Sequence, residues 1–184
     1  MLYVDANAPL VLHLPTGLSW LLVEVAGAGG GADAVHDVGA EPTAGEPTRC
    51  SLVPGNVTFF AAGGGAGHYD GNVALRHAGA HGLAHIDITG INTTAASPQH
   101  VRMALQGQGG RGARAIDATA LSPASLDVQA GGNGGLARGT VPIQGVEAAV
   151  LTCTVGNIGL STIHDAHIQR TQQAEDGWVR LQWW

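Results

Sequence analysis

Lysine is absent from this chain, and its eight basic side chains are all arginine. Asp and Glu outnumber them 14 to 8, the formal net charge is −6, and the arginines are scattered. No basic stripe exists on which nucleic-acid phosphates could release counterions, so nucleic acid is not an expected partner. Long apolar runs are missing too. None reaches the roughly 20 residues that span a bilayer, so no membrane insertion is expected. The start, MLYVDANAPLVLHLP, lacks a basic region ahead of an apolar core, which reads as synthesis in the cytoplasm without a secretory signal.

Cysteine is scarce. Cys50 and Cys153 form no CxxC pair, so they make no structural zinc site on their own. Each lies in a strand-like run and reads first as a buried small apolar side chain, with a disulfide or a reactive thiol as the alternatives. No serine stands in a GxSxG elbow, and the adjacent Glu175 and Asp176 read as an acidic turn before Gly177 rather than as facing carboxylates. Neither an enzyme nor a cofactor is expected.

Glycine is abundant, with 29 residues, while charged residues are only 12% and hydrophobic residues 45%. That balance is too apolar for a solvated tail and too glycine-rich for long helices. At 184 residues the chain is expected to form one domain, 1–184. Its organiser is SWLLVEVAGAGGGA at 19–32, where Leu21, Val23 and Val25 share one face and Leu22 and Glu24 the other before glycine takes over. This is a half-buried strand entering a glycine tract. The unit recurs as NVTFFAAGGGAG (56–67), VRMALQGQGGRG (101–112), SLDVQAGGNGG (125–135) and, degraded, LTCTVGNIG (151–159); GWVRLQWW (177–184) has the strand alone.

Between these units, LYVDA and LVLHL read as a two-strand meander, 34–49 as a surface loop, and RCSLVPGNVTFF as a hairpin about Pro54-Gly55. Ala84, Ile86 and Ile88 alternate with His85 and Asp87 as in a strand, 146–155 and 178–184 read as strands, and 164–175 as a polar loop. Helix is expected at most around 113–121. The fold class is therefore all-β, an antiparallel β-sandwich with glycine-rich loops. Glycine in a regular element costs about 0.5–1 kcal/mol relative to alanine. Two arrangements could offset it: extended backbones packed side by side as left-handed helices of about three residues per turn, or positive-φ turns and flexible loops.

Several patterns suggest chemistry. Gly27, Gly29 and Ala32 have dinucleotide-fingerprint spacing, with Glu46 near the place of a ribose-binding acid. Gly39 and Pro42 interrupt any crossover helix, however, and no βαβ alternation follows. His77, His81 and His85 are spaced by four, but Gly79 and Gly82 argue against a shared helical face. His81 and His85, or the pair His164 and His167, are weak metal candidates without a Cys/His/Asp cluster, so no metal site is expected. Recognition residues usually sit on long connections of a rigid scaffold. His68, Tyr69, Asp70, Arg111, Arg114 and Asn133 supply an aromatic face, donors and a carboxylate suited to a sugar or a polar protein loop.

With these units laid out, LHLPTGLSWLLVEVAGAGGGAD resembles the opening of the glycine-rich domains at the distal ends of bacteriophage tail fibres and in phage tail adhesins. In that family a strand, a V-P-x-G turn and a V-x-V strand run into GxGGGG. TRCSLVPGNVTFFAAGGGAG is similar to the family's P-G-x-x-(strand)-G-x-GG element, VEAAVLTCTVGNIG to a decayed copy, and EDGWVRLQWW to its D-G-(strand)-W ending. Leu14 stands where valine is usual and Ala26 where an aromatic is common, and the glycine clusters are shorter than in adhesins with packed polyglycine helices. The resemblance thus carries the β framework further than the helix packing. It implies a virion protein, a homotrimer like most fibre proteins, whose loops meet a host cell-surface receptor such as a polysaccharide or an outer-membrane protein. A structural role against other tail-fibre or virion subunits is the rival reading, and a glycan-degrading enzyme a weaker one.

Overall fold

The computed structural model describes residues 2–5, 9–34, 41–68, 78–89, 102–118, 128–146, 148–163 and 168–184. Period-two alternation builds two antiparallel sheets. In the first, the strand order is β1 (Leu2–Asp5), β15 (Trp178–Trp183), β3 (Trp20–Ala26), β11 (Leu136–Pro142) and β8 (Arg102–Leu105). The second runs β2 (Leu10–His13), β12 (Val150–Thr154), β5 (Thr48–Val53), β6 (Val57–Ala61) and β7 (Ala84–Ile88). Leu21, Val23 and Val25 face inward with Val179, Leu181 and Val141, and meet Leu52, Val57, Phe59 and Leu151 of the opposite sheet. Gly139 on β11 makes room for the largest of these side chains, because a Cβ there would stand 2.9 Å from the Phe59 ring. The result is a β-sandwich, with no helix among the described residues.

Some local expectations are corrected. LYVDA and LVLHL do not form a meander, since β1 pairs with β15 and β2 with β12, one in each sheet. Residues 114–118, placed where a short helix was allowed, form β9 (Arg114–Ala118), which pairs with β14 (Ile168–Gln172) inside the stretch read as a polar loop. Cys50 and Cys153 are buried, as expected of small apolar side chains, but bonded to each other. They sit directly opposite on β5 and β12, with Cα atoms 4.1 Å apart, and close a sequence separation of 103 residues. That pairing depends on register, which the two isolated strand patterns do not reveal.

The glycine tracts are ordered. Segment 27–32 leaves β3 with no hydrogen bond inside itself, and its backbone groups turn to a new neighbour at each residue, returning after three. The amides of Gly27 and Gly30 donate to Gly135 and Gly132, those of Ala28 and Gly31 to Glu46 and Thr43, and that of Gly29 to Glu175, at 2.8–3.2 Å. Its carbonyls follow the same period: those of Gly27 and Gly30 accept from Gly110 and Ala113, those of Ala28 and Gly31 from Gly64 and Gly67, and those of Gly29 and Ala32 from Gly159 and Thr162. Three residues per turn without internal hydrogen bonds is the signature of a polyproline-II-type helix. Six segments therefore surround a seventh. They are also bonded to one another in a closed ring: 62–67 to 43–46, then 156–161, 173–177, 107–113, 130–135 and back to 62–67. An eighth segment, 78–83, packs outside the ring against 62–67 and 130–135.

Close approach, rather than positive φ, explains the glycines. A Cβ on Gly30 would lie 2.0 Å from the Gly65 oxygen, and one on Gly64 would lie 1.8 Å from the Gly132 oxygen. Among the array glycines of the described residues only Gly107, at the exit from β8, has φ in the left-handed region. The fingerprint-like spacing of Gly27, Gly29 and Ala32 therefore serves packing, and no helix emerges there. Each of the eight segments continues one strand of the sandwich. Four leave it (after β3, β6, β8 and β12) and four enter it (before β5, β7, β11 and β15). The strand–glycine units read at 19–32, 56–67, 101–112 and 151–159 are the four that leave the sandwich, whereas the tract of the unit at 125–135 follows the short β10 (Val128–Gln129) and enters the sandwich at β11.

Two outcomes check this architecture. Gly64→Ala should lower the free energy of unfolding by about 3 kcal/mol or more in urea denaturation, since backbone must move to admit the methyl. Gly145→Ala, at φ +75° with open space around it, should cost only about 1 kcal/mol. Thiol titration of the unreduced, denatured chain should find no free thiol. Replacing both cysteines by alanine should cost about 2–4 kcal/mol, the usual range for a structural disulfide.

Candidate functional site

The far end of the array lies away from the sandwich. Segment 27–32 ends there in β4 (Asp33–Ala34), which pairs with β10 (Val128–Gln129) on one side and with β13 (Thr162–Ile163) on the other. The Thr162 hydroxyl donates to Asp33 Oδ1 at 3.0 Å, and the Ala32 amide donates to the Ser161 hydroxyl at 3.0 Å. The pair β9 and β14 belongs to the same end, because β9 follows Ala113, whose amide reaches the Gly30 carbonyl. Residues flanking 35–40, 69–77, 119–127 and 164–167 therefore all lie at this end. Those four stretches connect segments that leave the sandwich with segments that return to it.

The sequence-derived candidates distribute unevenly over this frame. His68 is exposed, one residue beyond Gly67, whose amide donates to the Gly31 carbonyl. Arg114 opens β9, and its Nε donates to Gln172 Oε1 at 2.9 Å. Both belong to the far end. Tyr69 and Asp70 lie outside the described residues, as do His77, His164 and His167.

Arg111 and Asn133 lie along the array and serve it. The Arg111 side chain pairs with Glu175 at 3.1 Å and its amide donates to the same carboxylate, so Glu175 belongs to a packed segment and not to an acidic turn. Asn133 Oδ1 accepts from the Gly112 amide at 2.9 Å, Nδ2 donates to the Gly107 carbonyl, and the Asn133 amide donates to His81 Nδ1 at 3.0 Å. The last bond puts the His81 proton on Nε2. Asn133 and Glu175 thus lie against opposite flanks of segment 107–113, and the candidates do not converge in one cluster. His85 is stacked on Phe60, with ring centroids 4.9 Å apart, on the outward face of the second sheet. Among the described residues no group of three or more His, Cys, Asp or Glu side chains could hold a metal ion.

A rule connects these contacts. At the rim of the array, amides that have no neighbouring backbone to reach are taken by side-chain acceptors: Glu46 for Asn157, Asp176 for Ile158 and Thr43 for Leu160, as well as Glu175 and Asn133. Sequence reasoning missed this role. The available signal was G-x-x-G spacing, as in Gly79–Gly82 and Gly156–Gly159, with polar or bulky residues between. One glycine per turn faces the neighbours and the other positions face out.

Asn133→Leu should lower stability by about 1–2 kcal/mol, because the half-buried Gly112 amide loses its acceptor. Arg111→Ala should stay within about 0.5 kcal/mol, since the ion pair it breaks is exposed; chemical denaturation of both variants checks the contrast. Compared with family models, curated proteins and solved structures, the chain gives no match.

Proposed function

We propose that the protein is a phage virion component, an adhesin-like tip module of a tail fibre. In this reading it binds a host surface receptor, a polysaccharide or an outer-membrane protein, without catalysis. One observation carries it: eight backbone segments, each continuing a sandwich strand, run side by side in a packed array whose far end presents His68, Arg114 and the short strand pairs β4–β10, β4–β13 and β9–β14. Binding through connections requires a scaffold that does not yield, because ordering them on contact would consume part of the binding energy. A hydrogen-bonded lattice with a buried disulfide in the adjoining sandwich supplies that stiffness. The disulfide also suits a virion surface, outside reducing cytosol. A homotrimer, as in most fibre proteins, is part of the proposal.

The rival reading is a structural virion subunit whose far-end connections meet other virion chains. Labelled protein applied to intact bacterial cells separates the two. The adhesin reading expects saturable binding to cells of the host that drops at least tenfold in His68→Ala/Tyr69→Ala/Asp70→Ala, with unfolding unchanged and no reducing sugar released. Absence of binding to every strain that the parent phage infects would overturn it in favour of the structural role.

A further inference from the structure

Of the asparagines in the chain, Asn133 alone is followed by glycine; each of the others precedes a residue whose Cβ shields the next amide. Glycine leaves the nitrogen after Asn133 open and its backbone free to turn, so an unfolded Asn-Gly pair readily cyclises, the nitrogen attacking the side-chain amide. In the array both reacting groups are held. The peptide unit that joins Asn133 to Gly134 is pinned from two sides: its carbonyl accepts from the Gly82 amide at 2.8 Å, and its amide donates to the Gly110 carbonyl at 2.9 Å. The side chain is pinned as well, Oδ1 by the Gly112 amide at 2.9 Å and Nδ2 by the Gly107 carbonyl at 3.2 Å.

Segment 107–113 thus holds the side-chain amide and also the nitrogen that would attack it, while segment 78–83 holds the carbonyl between them. Attack requires the Gly134 nitrogen to swing toward Cγ, by rotation of the whole planar peptide unit about the Asn133 Cα–C bond. That rotation withdraws the carbonyl from Gly82 and the amide from Gly110 together. Two further bonds oppose it, from the Asn133 amide to His81 Nδ1 and from the Gly109 amide to the Gly134 carbonyl.

We infer that Asn133-Gly134 is a self-modification site, which the array holds unreactive and which converts once segment 107–113 or 78–83 lifts away. The Gly134 nitrogen bonds to Cγ, the side-chain nitrogen leaves as ammonia carrying the displaced amide proton, and a cyclic imide remains. Water then opens the imide at one carbonyl or the other, giving aspartate or isoaspartate. Neither product fits the site. Aspartate has no donor for the Gly107 carbonyl and sets a negative charge against it. Isoaspartate routes the main chain through the side-chain carbon and lengthens it inside a lattice whose pairings recur every three residues. Gly134 and Gly135 then lose their register with Gly110, Ala62 and Gly27. Each opening that ends in conversion is therefore irreversible, and the lifetime of the array is set by how often these segments lift. The site belongs to the array and is independent of what the far end binds.

The test incubates the intact chain, folded and in unfolding urea, in one mildly alkaline buffer. It follows the amide-to-acid mass gain in the tryptic peptide 115–138, where Asn133 is the single asparagine. The unfolded chain is expected to convert at least tenfold faster than the folded one. A Cβ on Gly110 would lie 2.7 Å from the Glu175 oxygen, so Gly110→Ala must displace segment 107–113 and should raise conversion in the folded protein several-fold. Urea below the unfolding transition should do the same to the unsubstituted chain, and serves if the variant does not fold. Converted chain should unfold at a lower urea concentration than unconverted chain. Equal rates in the folded and unfolded chain, or no conversion of the unfolded one, overturn the proposal. So does conversion that neither Gly110→Ala nor urea accelerates, or a converted chain as stable as the original.

Discussion

Backbone contact without side chains is the constraint on which the rest of the molecule depends. At Gly29, Gly30, Gly31 and Gly64 a single methyl would fall within about 2 Å of a neighbouring carbonyl oxygen. The neighbours are this close because each amide must find a carbonyl on an adjacent segment, the segments having no hydrogen bonds of their own. Glycine's entropic cost is thereby set against a dense set of inter-segment bonds. The array is a continuation of the sandwich: the eight strands that feed it fix the spacing and direction of its segments before any glycine is reached.

Continuity also explains why the sandwich is stapled where it is. Cys50 and Cys153 join β5 and β12, whose array continuations, 43–46 and 156–161, are themselves neighbours in the ring. Thr48 lies between the two layers: it is wholly buried, and its hydroxyl accepts from the Gly156 amide at 3.1 Å. Side-chain core, disulfide and backbone lattice thus meet within a few residues of one another.

Much of the framework was legible. Alternation in WLLVEV, the Pro54-Gly55 hairpin and the terminal WVRLQW run each specify a strand, because a period of two survives without knowledge of partners; β3, read as half-buried, is buried on both sides. Three things were not legible. The segments 43–46 and 173–177 carry one glycine apiece, Gly45 and Gly177, since side chains on most rim positions point outward; composition alone reads them as loops. The register that brings Cys50 to Cys153 is a long-range property that neither strand contains. Asn133, read as a recognition residue, instead bonds Gly112, Gly107 and His81, a role set entirely by array neighbours distant in sequence.

Amide hydrogen exchange in the native state tests the central claim most directly. If the glycine tracts are a bonded lattice, the amides of Gly27 to Gly31 should exchange as slowly as those of Val23 and Val25 in β3, with Gly132 and Gly134 alongside them. Exchange of these glycine amides at the rate of an unstructured chain, while β3 stays protected, would contradict it.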